Sequence, residues 1–309
     1  MKILVIKPSS LGDVVHALRV VTQIKSRYPN CSIDWVIKKG LEGILESSGL
    51  INQYYFFERG KGLLTFLRLI FEIRKKNYDF VLDLQGLLRS GFLTKASKGK
   101  RKLGRADGRE GATLFYKSVG ERNRKKAIHA IERLMPFLKE LGVVEVDIDL
   151  LLPFNGSALA NHTKQLLAER KFILLFPESR REEKVWPYFM DLALQFKANE
   201  NLEVVIAGNE KETDYPDCLD LRTEIPLKEL PALIKSAEMI ISNDSAPLHI
   251  GSAMQKPLIS LFGPTNPSMY GPYPMPSTQA KVVCSPSGEM GGIQLDDILR
   301  SIRLTLDQS

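Results

Sequence analysis

Met239-Ile-Ile-Ser-Asn-Asp-Ser-Ala-Pro-Leu-His-Ile-Gly-Ser-Ala253 decides how this chain folds. The apolar run ending at Ile241 reads as a buried strand. Ser242-Asn-Asp-Ser245 is a polar loop, and Pro247 falls in the first turn of a helix, where a missing backbone N–H costs nothing. Gly251, Ser252 and Ala253 let that helix pack closely. A strand, a tight loop and a helix N-terminus in succession present free N–H groups and the positive end of a helix dipole, which suits a phosphate. Asp244 and His249 flank the same opening. An ordinary βα turn with Ser245 as N-cap fits the local pattern equally well.

Outward from this stretch the same alternation repeats. Strands are expected at 172–176, 202–207 and 258–262, and helices at 188–197 and 227–236. Asn155-Gly-Ser157 reads as a linker. Before it, strands are expected at 2–6, 33–37, 50–57 and 80–84. Helices are expected over 14–28, 63–75 and 128–141, the last closed by Gly142, with a short one after Gln85-Gly86. Residues 95–109 form a polar, cation-rich stretch, and Arg122 to Lys126 is a second basic run. Leu150-Leu-Leu-Pro153 ends a strand-like run. Leu295, Ile298, Leu299, Ile302 and Leu306 make an apolar stripe on a terminal helix. Two α/β domains follow, 1–155 and 156–309, with the terminal helix free to pack back on the first.

The totals agree with a soluble globular chain: 309 residues, 44% hydrophobic and 26% charged, with a net charge of +7. No apolar run approaches the roughly 20 residues of a membrane span. Met1-Lys-Ile-Leu-Val-Ile6 runs into Lys7-Pro-Ser-Ser10 and not a small-residue cleavage site, so it reads as a first strand and places the protein in the cytosol. Cys31, Cys218 and Cys284 and the four histidines lack metal-binding spacing. Gly-x-Gly-x-x-Gly is missing after the first strand, which disfavours a nicotinamide enzyme. No recognised nucleic-acid module accompanies the positive charge.

Three groups of residues resemble bacterial lipopolysaccharide heptosyltransferases, the inverting glycosyltransferases of family nine, and most resemble the heptosyltransferase I type. They are Ile3-Leu-Val-Ile-Lys-Pro-Ser-Ser-Leu-Gly-Asp-Val-Val-His16, Asp83-Leu-Gln-Gly-Leu87 with Gly104-Arg105, and Ser242-Asn-Asp-Ser-Ala-Pro-Leu-His249 with Leu261-Phe-Gly-Pro-Thr-Asn-Pro267. They lie in the family's order and span nearly the whole chain. The resemblance implies α/β GT-B architecture, two Rossmann-like domains facing across a cleft. It implies transfer of heptose from ADP-heptose to Kdo on the lipopolysaccharide inner core, at the inner face of the cytoplasmic membrane as a peripheral protein. The donor is a nucleotide sugar, the acceptor Kdo-lipid A, and neither cofactor nor metal is implied.

Asp13 sits in the first βα loop, where a carboxylate can take an acceptor's proton or simply cap the helix. The resemblance makes it the general base. Lys184, before Trp186-Pro187, matches a family lysine that faces the donor; an ammonium there would stabilise a departing diphosphate. Otherwise it belongs to a solvated charged loop. Asp244, Ser245, Ala246 and His249 match the family's Asp-Thr-Gly-x-x-His donor site, with Ser for Thr and Ala for Gly, and His249 is alternatively a packed helix residue. Ser179 is a further donor-side candidate, Pro247 stiffens the loop, and the amides of 245–247 are expected at the phosphates. Glu210 or Glu212 would hold the ribose. Ser9, Ser10, Gly12, Lys61, Gln85, Arg105 and Arg109 form the expected acceptor side, where cations would meet carboxylates and phosphates. Met239 and Leu261 would line an adenine pocket or belong to the core. Other readings are transfer from a different sugar nucleotide, a sugar-nucleotide epimerase on the same architecture, and a non-catalytic binding protein.

Overall fold

Strands that read as unbroken apolar runs lie at the centre of two sheets. In the computed structural model, which describes residues 1–306 apart from 59, 123–126, 169, 200–201, 212, 276 and 278, every residue of Phe172–Phe176, Met239–Asn243 and Leu258–Phe262 is buried. Parallel strands covered by helices on both faces require that composition. The chain divides into two compact units, Met1–Asn155 and Gly156–Ser309.

The first unit runs β1 (Lys2–Ile6), α1 (Leu11–Arg27), β2 (Ser32–Ile37), α2 (Glu42–Ser48), β3 (Gln53–Phe56), α3 (Gly62–Ile73), β4 (Tyr78–Asp83), α4 (Leu88–Ala96), β5 (Gly99–Arg105), β6 (Lys117–Val119) and α5 (Pro136–Glu140). Its sheet has the order β3-β2-β1-β4-β5-β6, and all its pairings are parallel. The order reverses between β1 and β4, where Ile6 lies opposite Asp83. Loops leaving those two strands therefore diverge and open a crevice at the strand ends.

The second unit runs α6 (Asn161–Leu167), β7 (Phe172–Phe176), α7 (Phe189–Asn199), β8 (Glu203–Ile206), β9 (Leu219–Asp220), α8 (Leu230–Ser236), β10 (Met239–Asn243), α9 (Ala246–Ala253), β11 (Leu258–Phe262), α10 (Pro267–Tyr270), β12 (Ala280–Cys284) and α11 (Leu295–Leu306). The order β12-β11-β10-β7-β8-β9 repeats the topology of the first sheet, with the reversal between β7 and β10. α11 belongs to this unit's own core: Ile298 and Ile302 are buried with Phe196, Ile259 and Leu261. Met239 and Leu261 are core residues of the same cluster.

Several expected elements change. α1 starts at Leu11, ahead of Val14. Residues 99–105, read as a polar stretch, form β5: Leu103 and Gly104 are buried, Lys102 and Arg105 partly so, and only Lys100 and Arg101 are exposed. The helix expected over 128–141 survives only as Pro136–Glu140. Pro136 cannot donate an intrahelical bond and its ring blocks the preceding turn, so it opens a helix and does not continue one. Leu150–Pro153 forms no strand. α2, α6, β6, β9 and β12 had no clear signal in the sequence.

Candidate functional site

In the first unit the β1–α1 loop builds the site around a helix start. Ser10 is the N-cap and Asp13 is the third residue of α1, so the reading of Asp13 as N-cap is corrected. Asp13 Oδ2 accepts from the Ser10 N–H at 3.0 Å and from the Ser10 hydroxyl at 2.8 Å. Lys7 Nζ is 3.6 Å away and buried, whereas the Asp13 side chain stays 42% exposed. The carboxylate is thus fixed from one side and reachable from the other. Burial pulls its pKa upward, but the charge of Lys7, then that of His16, and the Ser10 hydrogen bonds outweigh burial and hold it well below the usual carboxylate range. Burial acts in the opposite sense on Lys7, lowering its pKa despite Asp13.

The β4–α4 loop forms the other wall. Asp83 is fully buried, and its Oδ1 accepts from the Gln85 N–H at 3.0 Å and the Gly86 N–H at 2.8 Å. Burial pushes its carboxyl up to about 6. Gln85 Oε1 accepts from the Ser9 N–H at 3.4 Å and ties the two loops together. Gly86 has φ +70°, and a Cβ there would lie 3.2 Å from the Gly108 Cα, so this close approach requires glycine. Its carbonyl accepts from the Arg109 N–H at 2.7 Å.

Arg105 is half-buried. It makes two bonds to Asp107, at 2.8 and 2.7 Å, and Arg133 adds a third at 3.1 Å. Its positive charge acts on Lys7, and Asp13 and Asp83 act on it in turn. Ser9, Ser10, Gly12, Asp13, Gln85 and Arg105 therefore share one end of the sheet. Arg109 reaches this group through its backbone, and its side chain is exposed. Lys61 precedes α3, exposed and paired with Glu58 at 2.9 Å. Arg122 is exposed, and Lys126 lies outside the described residues.

In the second unit the loops after β7 and β10 meet. Lys184 closes a single 3-10 turn, Glu182–Lys184. Its Nζ lies 2.5 Å from Asp244 Oδ2, and the Thr265 hydroxyl donates to the same oxygen at 2.8 Å. Asn243 pins the loops: its Oδ1 accepts from the Trp186 N–H at 3.1 Å and its Nδ2 donates to the Pro177 carbonyl at 2.9 Å. Ser245 is the N-cap of α9, with its hydroxyl 3.2 Å from that of Ser242. Ala246 is the first helical residue and Pro247 the second. Proline has no N–H, so the expected trio of donating amides at 245–247 is corrected: Pro247 shapes the helix start, and Ser245, Ala246 and Leu248 carry the donors. His249 is half-buried one turn further along.

Glu178 was missed in the sequence, where it is one acid among many. Its carboxylate accepts from the Asn209 N–H at 2.7 Å and the Glu210 N–H at 2.9 Å, clamping the loop after β8 to the loop after β7. Gly208 makes room for it, since a Cβ there would fall 2.2 Å from Glu178 Oε1. Glu210 itself is exposed beside this clamp, and Ser179 is half-buried next to it. Glu212 lies outside the described residues. Thr265 and Asn243 were also missed as site residues, although both lie inside the stretches that carry the resemblance. Among the described residues no three His, Cys, Asp or Glu side chains are placed to hold a metal ion.

At one switch point a cation, a helix N-terminus and an oriented carboxylate lie together. At the other, the Asp13 carboxylate is held on Ser10 and remains partly exposed. Comparison with known proteins identifies the fold and the family. Two solved structures share the fold: the E. coli heptosyltransferase WaaC with ADP, at TM-score 0.81 and 22% identity over 99% of this chain and 100% of that one, and the E. coli ADP-heptose lps heptosyltransferase II, at TM-score 0.77 and 22% identity over 100% and 99%. The architecture is accordingly of GT-B type. The lipopolysaccharide heptosyltransferase 1 of Campylobacter coli is 30% identical over 86% of this chain and 84% of its own length. The profile of glycosyltransferase family 9 (heptosyltransferase) matches residues 66–294, and the chain belongs to that family.

Proposed function

We propose that this chain moves heptose from ADP-heptose to a Kdo residue of the lipopolysaccharide inner core, with inversion at the anomeric carbon. The observation that carries the reading is Lys184 held on Asp244 at the N-terminus of α9. The cation and the first-turn amides supply positive charge where a diphosphate departs. Asp244, with Ser245 and His249 beside it, offers hydrogen bonds to the sugar, and Glu210 or Glu212 to the ribose. The names of similar proteins support the donor and the pathway: the Campylobacter coli relative is a lipopolysaccharide heptosyltransferase, and one E. coli structure contains ADP.

In the first unit Asp13 takes the proton of the acceptor hydroxyl as its oxygen bonds to the anomeric carbon. The bond from that carbon to the β-phosphate oxygen breaks, and its electron pair leaves with ADP. A strongly acidic carboxyl stays ionised throughout the neutral range, ready for this role. Its low proton affinity is matched only as the attacking hydroxyl becomes acidic in the transition state. Arg105 and Arg109, with Lys61 on a neighbouring loop, provide charge for the carboxylates and phosphates of Kdo-lipid A, and Ser9, Ser10, Gly12 and Gln85 line the approach. No described helix is long and apolar enough to cross a membrane, and peripheral contact with the inner membrane brings the enzyme to its acceptor.

The test is a reaction of ADP-heptose with Kdo-lipid A, read by product mass and by the anomeric NMR signal. One added heptose with the inverted anomer is expected. Transfer only to an acceptor that already carries heptose would reassign the acceptor, and no transfer to any lipopolysaccharide core would reject the reading.

A further inference from the structure

α3 is apolar on both sides, and only one side is used by the core. Leu69 and Ile73 are buried with Leu4, Ile6, Val36 and Val81. On the other side Leu63, Leu67 and Phe71 recur every four residues with Leu64 beside them, and these four are 71, 47, 65 and 77% exposed. An apolar stripe this wide, broken only by Thr65, Arg68 and Glu72, is ordinarily covered. The exposed surface continues onto α4 and beyond. The Phe66 and Phe92 rings are 6.0 Å apart and the Phe92 and Phe115 rings 6.1 Å, while Leu88, Phe92 and Leu114 are all exposed. Single apolar residues at a surface need no explanation, but a joined patch does.

The border of the patch is cationic. Residues 88–98 contain Arg89, Lys95 and Lys98 and no carboxylate, and all three cations are exposed. On α3 and the turn after it, Arg68, Arg74 and Lys75 are exposed against a single acid, Glu72. Lys75 lays its stem along the patch, with Nζ 5.2 Å from the centre of the Phe71 ring.

We propose that the α3–α4 face of the first unit docks on an anionic lipid surface. Its leucines and phenylalanines enter the boundary between headgroups and acyl chains, and its arginines and lysines meet the headgroup phosphates. The charge pattern selects this occupant. Protein interfaces are depleted in lysine and match charges of both signs, whereas a predominantly basic rim around an apolar face, here six cations with Glu72 paired to Lys75, is what an anionic bilayer attracts. The inference rests on the peripheral membrane contact of the proposed function and deepens it by naming the face that makes it; the face is the same whatever sugar is moved.

The test is co-sedimentation with vesicles that contain no sugar acceptor, one set of phosphatidylethanolamine with phosphatidylglycerol and one of phosphatidylcholine alone. The wild type binds the anionic set, and more weakly at high salt. The double variant Leu64→Glu/Phe71→Glu loses about tenfold or more of that binding, and Leu64→Gln, milder in case the double variant misfolds, loses part of it. Arg68→Glu/Arg89→Glu loses the preference for the anionic set. Transfer to a water-soluble acceptor fragment stays at the wild-type rate in all of them, which separates docking from catalysis. Wild type that ignores anionic vesicles, or a Leu64→Glu/Phe71→Glu protein that binds them equally well, overturns the proposal. So does a wild type that ignores vesicles and self-associates through this face.

Discussion

Lys184 Nζ and Asp244 Oδ2 lie 2.5 Å apart and join the loops that leave β7 and β10, the two strands between which the second sheet reverses its order. Each group holds the other: the carboxylate restrains a long flexible ammonium, and the ammonium together with Thr265 orients the carboxylate. Both side chains are largely buried, 14% and 7% exposed. The cation is therefore held in place by the fold, which in the proposed reaction limits the reorganisation needed when charge develops on the leaving group.

Lys184→Ala removes that cation and leaves Asp244 without its charge partner. The maximal rate of ADP release should fall about 10²- to 10³-fold, and ADP should bind more weakly in calorimetry. Lys184→Arg restores the charge but not the compact fit, so it should recover only part of the rate. Equal activity in all three proteins would remove Lys184 from the chemistry.

Thr265→Val preserves shape and deletes one donor to Asp244. About 1 kcal/mol is at stake. The KM for donor should rise several-fold with little change in kcat, measured by steady-state kinetics at saturating acceptor.

Gly208→Ala places a methyl group where the Glu178 carboxylate sits, at 2.2 Å. The carboxylate must then release the Asn209 and Glu210 amides. Overpacking of this kind costs about 1–3 kcal/mol, so urea unfolding should shift by that amount and ADP affinity should fall with it.

The sequence showed the double α/β plan because buried parallel strands leave continuous apolar runs, as at Phe172–Phe176. It hid β5, whose cations outnumber its inward residues, and it began the helix at 128, eight residues ahead of Pro136, where the helix starts. At the site, Asp13, Lys184 and Asp244 were legible because they stand in loops next to glycine, proline or a helix start. Lys7, Asp83 and Glu178 were not: the first two matter because the fold buries their charges, and Glu178 because its amide partners, Asn209 and Glu210, lie far away in sequence. Which cations already hold an acid partner was not legible either, as Lys61 beside Glu58 and Arg105 beside Asp107 demonstrate.

Asp83 gives a pH signature. Its carboxyl titrates at about 6 in the fold against an ordinary 3.8. The fold therefore favours the protonated form. The stability this group contributes is complete below about pH 4 and lost as pH rises through about 6, a penalty of up to about 3 kcal/mol at higher pH. Asp83→Asn keeps an oxygen for the Gln85 and Gly86 amides and has no charge to bury. Relative to wild type it should gain about 1–3 kcal/mol between pH 4.5 and 7.5 in denaturant titrations; a difference that does not change with pH would contradict the assignment.

The most direct measurement is acceptor-dependent ADP release by Asp13→Asn at saturating ADP-heptose, with ADP affinity measured alongside. Asparagine can still accept from the Ser10 N–H and hydroxyl, so α1 keeps its start, but it cannot take a proton. The rate should fall about 10²- to 10⁴-fold with ADP affinity unchanged. A variant that retains more than about a tenth of the wild-type rate would mean that Asp13 is not the base.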